Sequence, residues 1–295
     1  MLISGSLRQK VIGVLAVCLG SPGAAVAQNV FASTQSATLP TAAVSRAGDL
    51  HIEISHRFGY LSGGASDLWG LDGFVLNRLG LAYTPQDHVT IGVLRSNSLD
   101  NLEFNARFAG LRLDGATGPV EFAAQTGMAW NLQVEPDDSH AGHGHALAPR
   151  ASAYAGGRRD GTAAENEMQA YAQVIANTRV ADRVALGVVP TLLWNPRIED
   201  ADREAAVSVG ATGQIYLSRM WSLFAEWIFS GSREDQEYDS ASFGVEIRTP
   251  GHFFKIVVTN QHRMNPTHTL AGASEDFFDT NSWRLGFNIQ RRLRL

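Results

Sequence analysis

From Asp49 to the end, the chain repeatedly alternates apolar and polar positions with a period of two. The clearest run is Val120 to Gln133. Val120, Phe122, Ala124, Met128, Trp130 and Leu132 fall on one side; Glu121, Gln125, Gly127, Asn131 and Gln133 fall on the other. That spacing belongs to a strand with one apolar and one polar face. It recurs where Leu50, Ile52 and Ile54 oppose His51, Glu53 and Ser55, and where Val207, Val209, Ala211 and Ile215 oppose Ser208, Gly210, Thr212 and Gln214. It returns where Trp221, Leu223, Trp227 and Phe229 oppose Ser222 and Glu226, and where Phe287 and Ile289 oppose Gly286 and Asn288. These runs predict strands over 48–58, 74–84, 88–97, 102–113, 119–133, 167–179, 182–194, 204–218, 220–231, 239–249, 252–261 and 282–294.

The connections alternate in length. Long ones fall at 59–73, 134–166, 195–203, 232–238 and 262–281, with a briefer member at 98–101; tight turns such as Thr84-Pro85-Gln86-Asp87 and Thr249-Pro250-Gly251 lie between them. Long loops on one rim and short turns on the other are the layout of a bacterial outer-membrane barrel. The expected fold is therefore all-β: a transmembrane antiparallel β-barrel of about twelve strands, up-and-down in topology, over 48–295. The polar faces carry Glu53, Arg57, Glu103, Arg107, Glu121, Glu226, Glu246, Lys255 and Arg284, which this fold turns toward the lumen. A soluble barrel would turn its apolar face inward instead. Aromatic residues near strand ends, Tyr83, Trp130, Trp194, Trp221 and Trp283 among them, suit interfacial girdles.

Composition alone describes an ordinary water-soluble chain: 44% hydrophobic, 18% charged and a mean hydropathy of -0.09. In a barrel half of each strand faces lipid and half faces water, so the average cancels. The first 27 residues read as a secretory signal peptide, with Arg8 and Lys10 before the apolar run Val11 to Leu19 and Ala25-Val26-Ala27 at the cleavage position. Cleavage removes Cys18, the only cysteine, and takes the net charge from -5 to -7, which argues against a nucleic-acid partner. Residues 28–47 are small and polar and read as a flexible leader.

Three groups of residues carry candidate chemistry. His140, His143 and His145, after Asp137 and Asp138, could hold Zn, Cu or Ni, or could be solvated imidazoles of a glycine-rich loop. Arg57 could pair with Asp67 or Asp72 inside the mouth, with Gly63-Gly64 folding the first long loop inward, or the loop could be a structurally required turn that folds over the rim. His252, Asn260 and His262 are raw material for a hydrolase on the barrel wall, but no Ser and His pair at a suitable spacing on one strand. No phosphate-binding loop, zinc-hydrolase helix or haem attachment motif is present, so no cofactor is expected.

Several motifs occur in order: His56-Arg57-Phe58-Gly59, Gly63-Gly64, Gly70-Leu71-Asp72-Gly73, Gly80-Leu81-Ala82-Tyr83, Thr90-Ile91-Gly92-Val93, Gly251-His252-Phe253-Phe254 and Gly286-Phe287-Asn288-Ile289. In these the chain resembles a family of bacterial outer-membrane β-barrel proteins known by a domain-of-unknown-function label. The resemblance covers nearly all of the mature chain and implies an outer-membrane barrel without supplying a substrate. Two features depart from the pattern: the long histidine-bearing loop, and Leu295 where barrels usually end in an aromatic residue.

The functional expectation is a narrow porin-like channel or a scaffold in the outer membrane, without catalysis. Its partners would be membrane lipid and small solutes or ions, with Arg107, Tyr216, Phe224 and Arg284 narrowing the lumen. The rivals are a metal- or partner-binding barrel that uses the histidine loop, and a lipid hydrolase.

Overall fold

The computed structural model describes residues 29–115, 118–132, 167–181, 183–198, 204–231 and 238–295. Twelve strands form one closed barrel in which each pairs antiparallel with its chain neighbours. They are β1 (Asp49–Tyr60), β2 (Leu76–Gln86), β3 (Val89–Ser96), β4 (Leu102–Gly115), β5 (Gly118–Asn131), β6 (Glu167–Ala181), β7 (Val184–Trp194), β8 (Ala205–Tyr216), β9 (Trp221–Phe229), β10 (Ser240–Thr249), β11 (His252–Thr259) and β12 (Arg284–Arg294). β12 closes onto β1, running from Asp49 opposite Arg294 to Arg57 opposite Gly286, so no sheet edge is left open.

The period of two explains the wall. Leu79, Ile91, Val207 and Ile256 stand on the outside and are exposed, whereas Glu103, Ser208, Glu246 and Lys255 point inward and are buried. A polar interior with an apolar exterior is the reverse of a water-soluble barrel and matches a lipid surround. Among the described residues no helix is long and apolar enough to cross a membrane.

The start of β1, the end of β12 and the turns β2–β3, β4–β5, β6–β7, β8–β9 and β10–β11 share one rim. The opposite rim carries the long connections. The longest described connection, between β11 and β12, includes the short helix α1 (Pro266–Ala271), with Pro266 at its start and Asn265 as its cap residue. All but the last residue of α1 are buried, although the helix lies outside the strand order.

Candidate functional site

The site is the lumen, and two segments of the chain fill it. Residues 29–47, expected as a flexible leader, run inside the barrel. Val30, Phe31, Leu39 and Ala42 are each at most 2% exposed. The segment has little side-chain chemistry of its own, so its backbone is held by the wall. The Val30 N–H donates to Glu121 Oε2 (2.9 Å), the Ala32 N–H to the Tyr216 hydroxyl (3.0 Å) and the Ala42 N–H to Asn177 Oδ1 (2.5 Å). Glu226 accepts from the Thr38 N–H (3.0 Å), the Thr38 hydroxyl (2.6 Å) and the Leu39 N–H (3.2 Å).

Cations hold its carbonyls. Arg107 donates to Thr34 O (2.8 Å) and Thr41 O (3.2 Å), Lys255 to Gln35 O (2.7 Å), and Arg179 to Val30 O (2.7 Å). A buried backbone needs such partners, because each unpaired polar group costs about 1–3 kcal/mol. Space comes from Gly210, where a Cβ would lie 2.6 Å from Leu39.

The second filler enters from the other rim. α1 packs mainly against β6 to β9. Glu103 accepts from the Thr267 N–H (3.3 Å), the Thr267 hydroxyl (3.2 Å) and the Tyr171 hydroxyl (2.9 Å). Ser208 donates to Leu270 O (2.8 Å) and Ser240 to Thr269 O (2.9 Å), while an Arg78 guanidinium nitrogen donates to Met264 O. His268 Nε2 lies 2.8 Å from Asn131 Oδ1, which also accepts from Asn101. Burial, with Arg263 next, holds the His268 imidazole well below its usual value, and burial likewise brings His262 down to about 3, with Arg263 and Arg284 adding to it. Leu270 and Leu39 join one apolar cluster with Tyr171, Ile175, Val189, Leu193 and Ile228, so the two fillers meet in mid-lumen.

The structure places the sequence-predicted charges as follows. Glu53 pairs with Arg78, and Glu246 with Lys255 at 3.2 Å. Glu121 pairs with Arg112 at 3.0 Å. Arg57 donates to Asn288 Oδ1 (2.8 Å) and His56 O (2.9 Å). Its expected pairing with Asp67 or Asp72 is not formed: Asp67 accepts from the Gly70 N–H within its own loop, and Asp72 is exposed. The loop between β1 and β2 stays at the rim, and the inward fold belongs to the β11–β12 connection.

Arg284 lies near that rim, with its guanidinium carbon 3.7 Å from the Tyr60 ring centroid and a nitrogen 3.7 Å from Glu275. It does not constrict mid-lumen. The charges therefore engage each other and the fillers, and an open pore lined by free charges is not what the barrel contains. A cavity of about 80 Å³ remains, lined by His51, Arg78, Asn105, Arg107 and Gln35.

His140, His143 and His145 lie outside the described residues. Among the described residues no group of three or more His, Cys, Asp or Glu is placed to hold a metal. The hydrolase candidates do not assemble. His252 sits at the short-turn end opposite Thr249 and Arg291, His262 follows β11 at the other end, and Asn260 uses its amide on Ala241, Asp239 and Glu275 backbone.

Sequence reasoning missed Thr38, Leu39, Thr267, His268 and Leu270. Their only signals were isolated apolar residues in polar surroundings and the Asn265-Pro266 helix start.

A family model described as "Membrane bound beta barrel domain (DUF5777)" matches residues 31–293. Among curated proteins no relative matches the sequence. Solved structures of similar shape include the NanC porin, at 9% identity over 83% of this chain and 100% of that one, with a TM-score of 0.41. The COG4313 outer membrane channel from Pseudomonas putida F1 is 13% identical over 85% and 97%, with a TM-score of 0.43. Omp33 of Acinetobacter baumannii is 10% identical over 83% and 98%, with a TM-score of 0.39. Likenesses at this level say nothing about what passes through this barrel.

Proposed function

The chain belongs to the family of membrane-bound β-barrel domains, and from that premise we propose that it is an outer-membrane channel for small solutes or ions, closed at rest by its N-terminal segment. The supporting observation is the chemistry of the closure. Segment 29–47 is held by hydrogen bonds to polar wall groups and continues into the barrel only at β1. Withdrawal leaves a wall of Glu, Gln, Asn and Arg side chains that water can solvate. Withdrawal enlarges the residual cavity, which Thr34, Gln35, Thr38 and Pro40 of the segment line opposite residues of β1 to β4. In this reading the short turns face the periplasm, as outer-membrane barrels place them. No catalytic step is assigned.

Planar-bilayer recording tests the reading. The full chain is expected to show a low, mostly closed conductance, and a chain lacking residues 29–47 a steady ohmic one. A truncated chain that retains heat-modifiable gel migration yet conducts no ions refutes it. That outcome favours the second reading, a permanently closed scaffold, which the apolar cluster joining Leu39 to Leu270 supports.

A further inference from the structure

The short-turn mouth differs electrically from the rest of the barrel. Arg179 at the end of β6, Arg183 in the β6–β7 turn, Arg219 in the β8–β9 turn and Arg248 on β10 line one cavity of about 650 Å³, together with Tyr216 and Ser218. No carboxylate lines it among the described residues. Deeper in the lumen, Glu53 faces Arg78 and Glu246 faces Lys255. The chain as a whole is acidic, at a formal net charge of -5, so four cations converging on one mouth run against its overall sign.

The four guanidinium groups are not equally committed. Arg179 is turned to the inserted segment through Asn29 O (3.2 Å) and Val30 O (2.7 Å) and lies over the Tyr216 ring at 5.6 Å. Arg248 donates Nε (3.1 Å) and Nη2 (2.8 Å) to Arg219 O, which fixes the turn that carries Arg219. Arg183 and Arg219 are exposed, and neither guanidinium has a hydrogen-bond or ion-pair partner among the described residues. Two free planar forks, backed by two fixed ones in a concave mouth whose described lining holds no carboxylate, match an oxyanion with several acceptor oxygens.

We infer that this mouth is a binding site for a phosphate group. The phosphate comes either from a solute drawn toward the lumen or from a lipid headgroup at the adjacent membrane surface, where Leu217, Met220 and Trp221 are exposed beside the same turn. The site described is that of the barrel with segment 29–47 seated, where Asn29, Phe31 and Ala32 also line it, and its binding is measured without reference to conductance.

The full chain in neutral detergent is titrated calorimetrically with inorganic pyrophosphate at low ionic strength. In parallel, nanodiscs of mixed phosphatidylcholine and phosphatidylglycerol are assayed for the lipid retained by the protein. The test variant is Arg183→Gln with Arg219→Gln, and the control is Arg291→Gln on β12, both checked by heat-modifiable migration. Saturable pyrophosphate binding that falls about tenfold or more in the double variant, and not in the control, supports a free phosphate ligand. Selective retention of phosphatidylglycerol that disappears in the double variant supports a headgroup. The inference is overturned if the wild type shows neither, or if the double variant binds as the wild type does.

Discussion

Glu226→Gln is the sharpest probe of how the N-terminal segment is seated. One carboxylate accepts from the Thr38 N–H, the Thr38 hydroxyl and the Leu39 N–H, at 3.0, 2.6 and 3.2 Å. Hydrogen bonds to a charged group are each worth about 1.5–3 kcal/mol. The amide keeps one acceptor oxygen but turns an NH2 toward a backbone N–H, so at least one bond is lost and one donor is left facing a donor. The seat is expected to weaken by about 2–4 kcal/mol, which makes local opening at least about thirtyfold more frequent. Hydrogen exchange of the peptide spanning 30–42, measured in nanodiscs, reads this directly. Exchange should rise there while the β4–β6 peptides stay protected. If exchange over 36–42 in Glu226→Gln equals that of the wild type, the carboxylate is not what holds the segment, and the gating argument loses its anchor.

Three further outcomes follow from the same geometry. Lys255→Met strands Glu246, with both side chains only 1% exposed, and should lower barrel stability in urea by about 3–5 kcal/mol; Lys255→Met with Glu246→Gln should recover most of it. Gly127→Val places a Cβ 2.5 Å from the Tyr171 ring carbons, which pushes the tyrosine off Glu103 and should destabilise by about 1–3 kcal/mol in the same assay. His262 is held down to about 3 when seated, so it is neutral in place and protonation favours withdrawal of its loop. Its contribution is therefore complete above the unfolded value of 6.5 and declines as pH falls from there toward about 3, by about 2 kcal/mol at pH 5. Proteolysis within 260–283 should accelerate between pH 7.5 and pH 5, and His262→Gln should flatten the change.

The wall was legible because each of its residues faces one environment and the faces alternate. Ile52 outside and Glu53 inside, or Val207 outside and Ser208 inside, follow from the alternation alone. Strand ends were less certain because they depend on contacts beyond the pattern. β11 stops at Thr259 rather than running to 261, since Asn260 turns its side chain to the Ala241 N–H and the Asp239 carbonyl. The lumen filling was not legible. A segment of Ser, Thr, Ala and Gln has the composition of a solvated leader, and the lumen wall offers it the same hydrogen bonds that water would. Gly187 and Gly210 could be placed on the inner face from the alternation. Only their closeness to Phe31 and Leu39 shows that they make room for a second chain segment. The Asn265-Pro266 helix start marked the turn that carries His268 but not its role, because its partners Asn101 and Asn131 are more than a hundred residues away.

The two fillers differ in how they are fixed, and that difference decides which one moves. The β11–β12 connection is tied at both ends to strands, and it also crosses the rim. Phe277 packs on the outer face against Trp227, Phe243 and Trp283, with ring centroids 5.3, 6.1 and 5.7 Å apart. Trp283 Nε1 donates to Phe277 O at 2.7 Å. Withdrawing α1 means disturbing aromatic contacts worth about 0.5–1.5 kcal/mol each beyond their burial. Segment 29–47 joins the barrel at β1, and it is held by hydrogen bonds that water can replace one at a time and by apolar contacts of Val30, Phe31, Ala37 and Leu39 with the wall. In the channel reading proposed above, the element that moves is the N-terminal one. Its exit in that reading is the short-turn mouth, past Arg179 and Tyr216, at the rim where β1 begins and β12 ends.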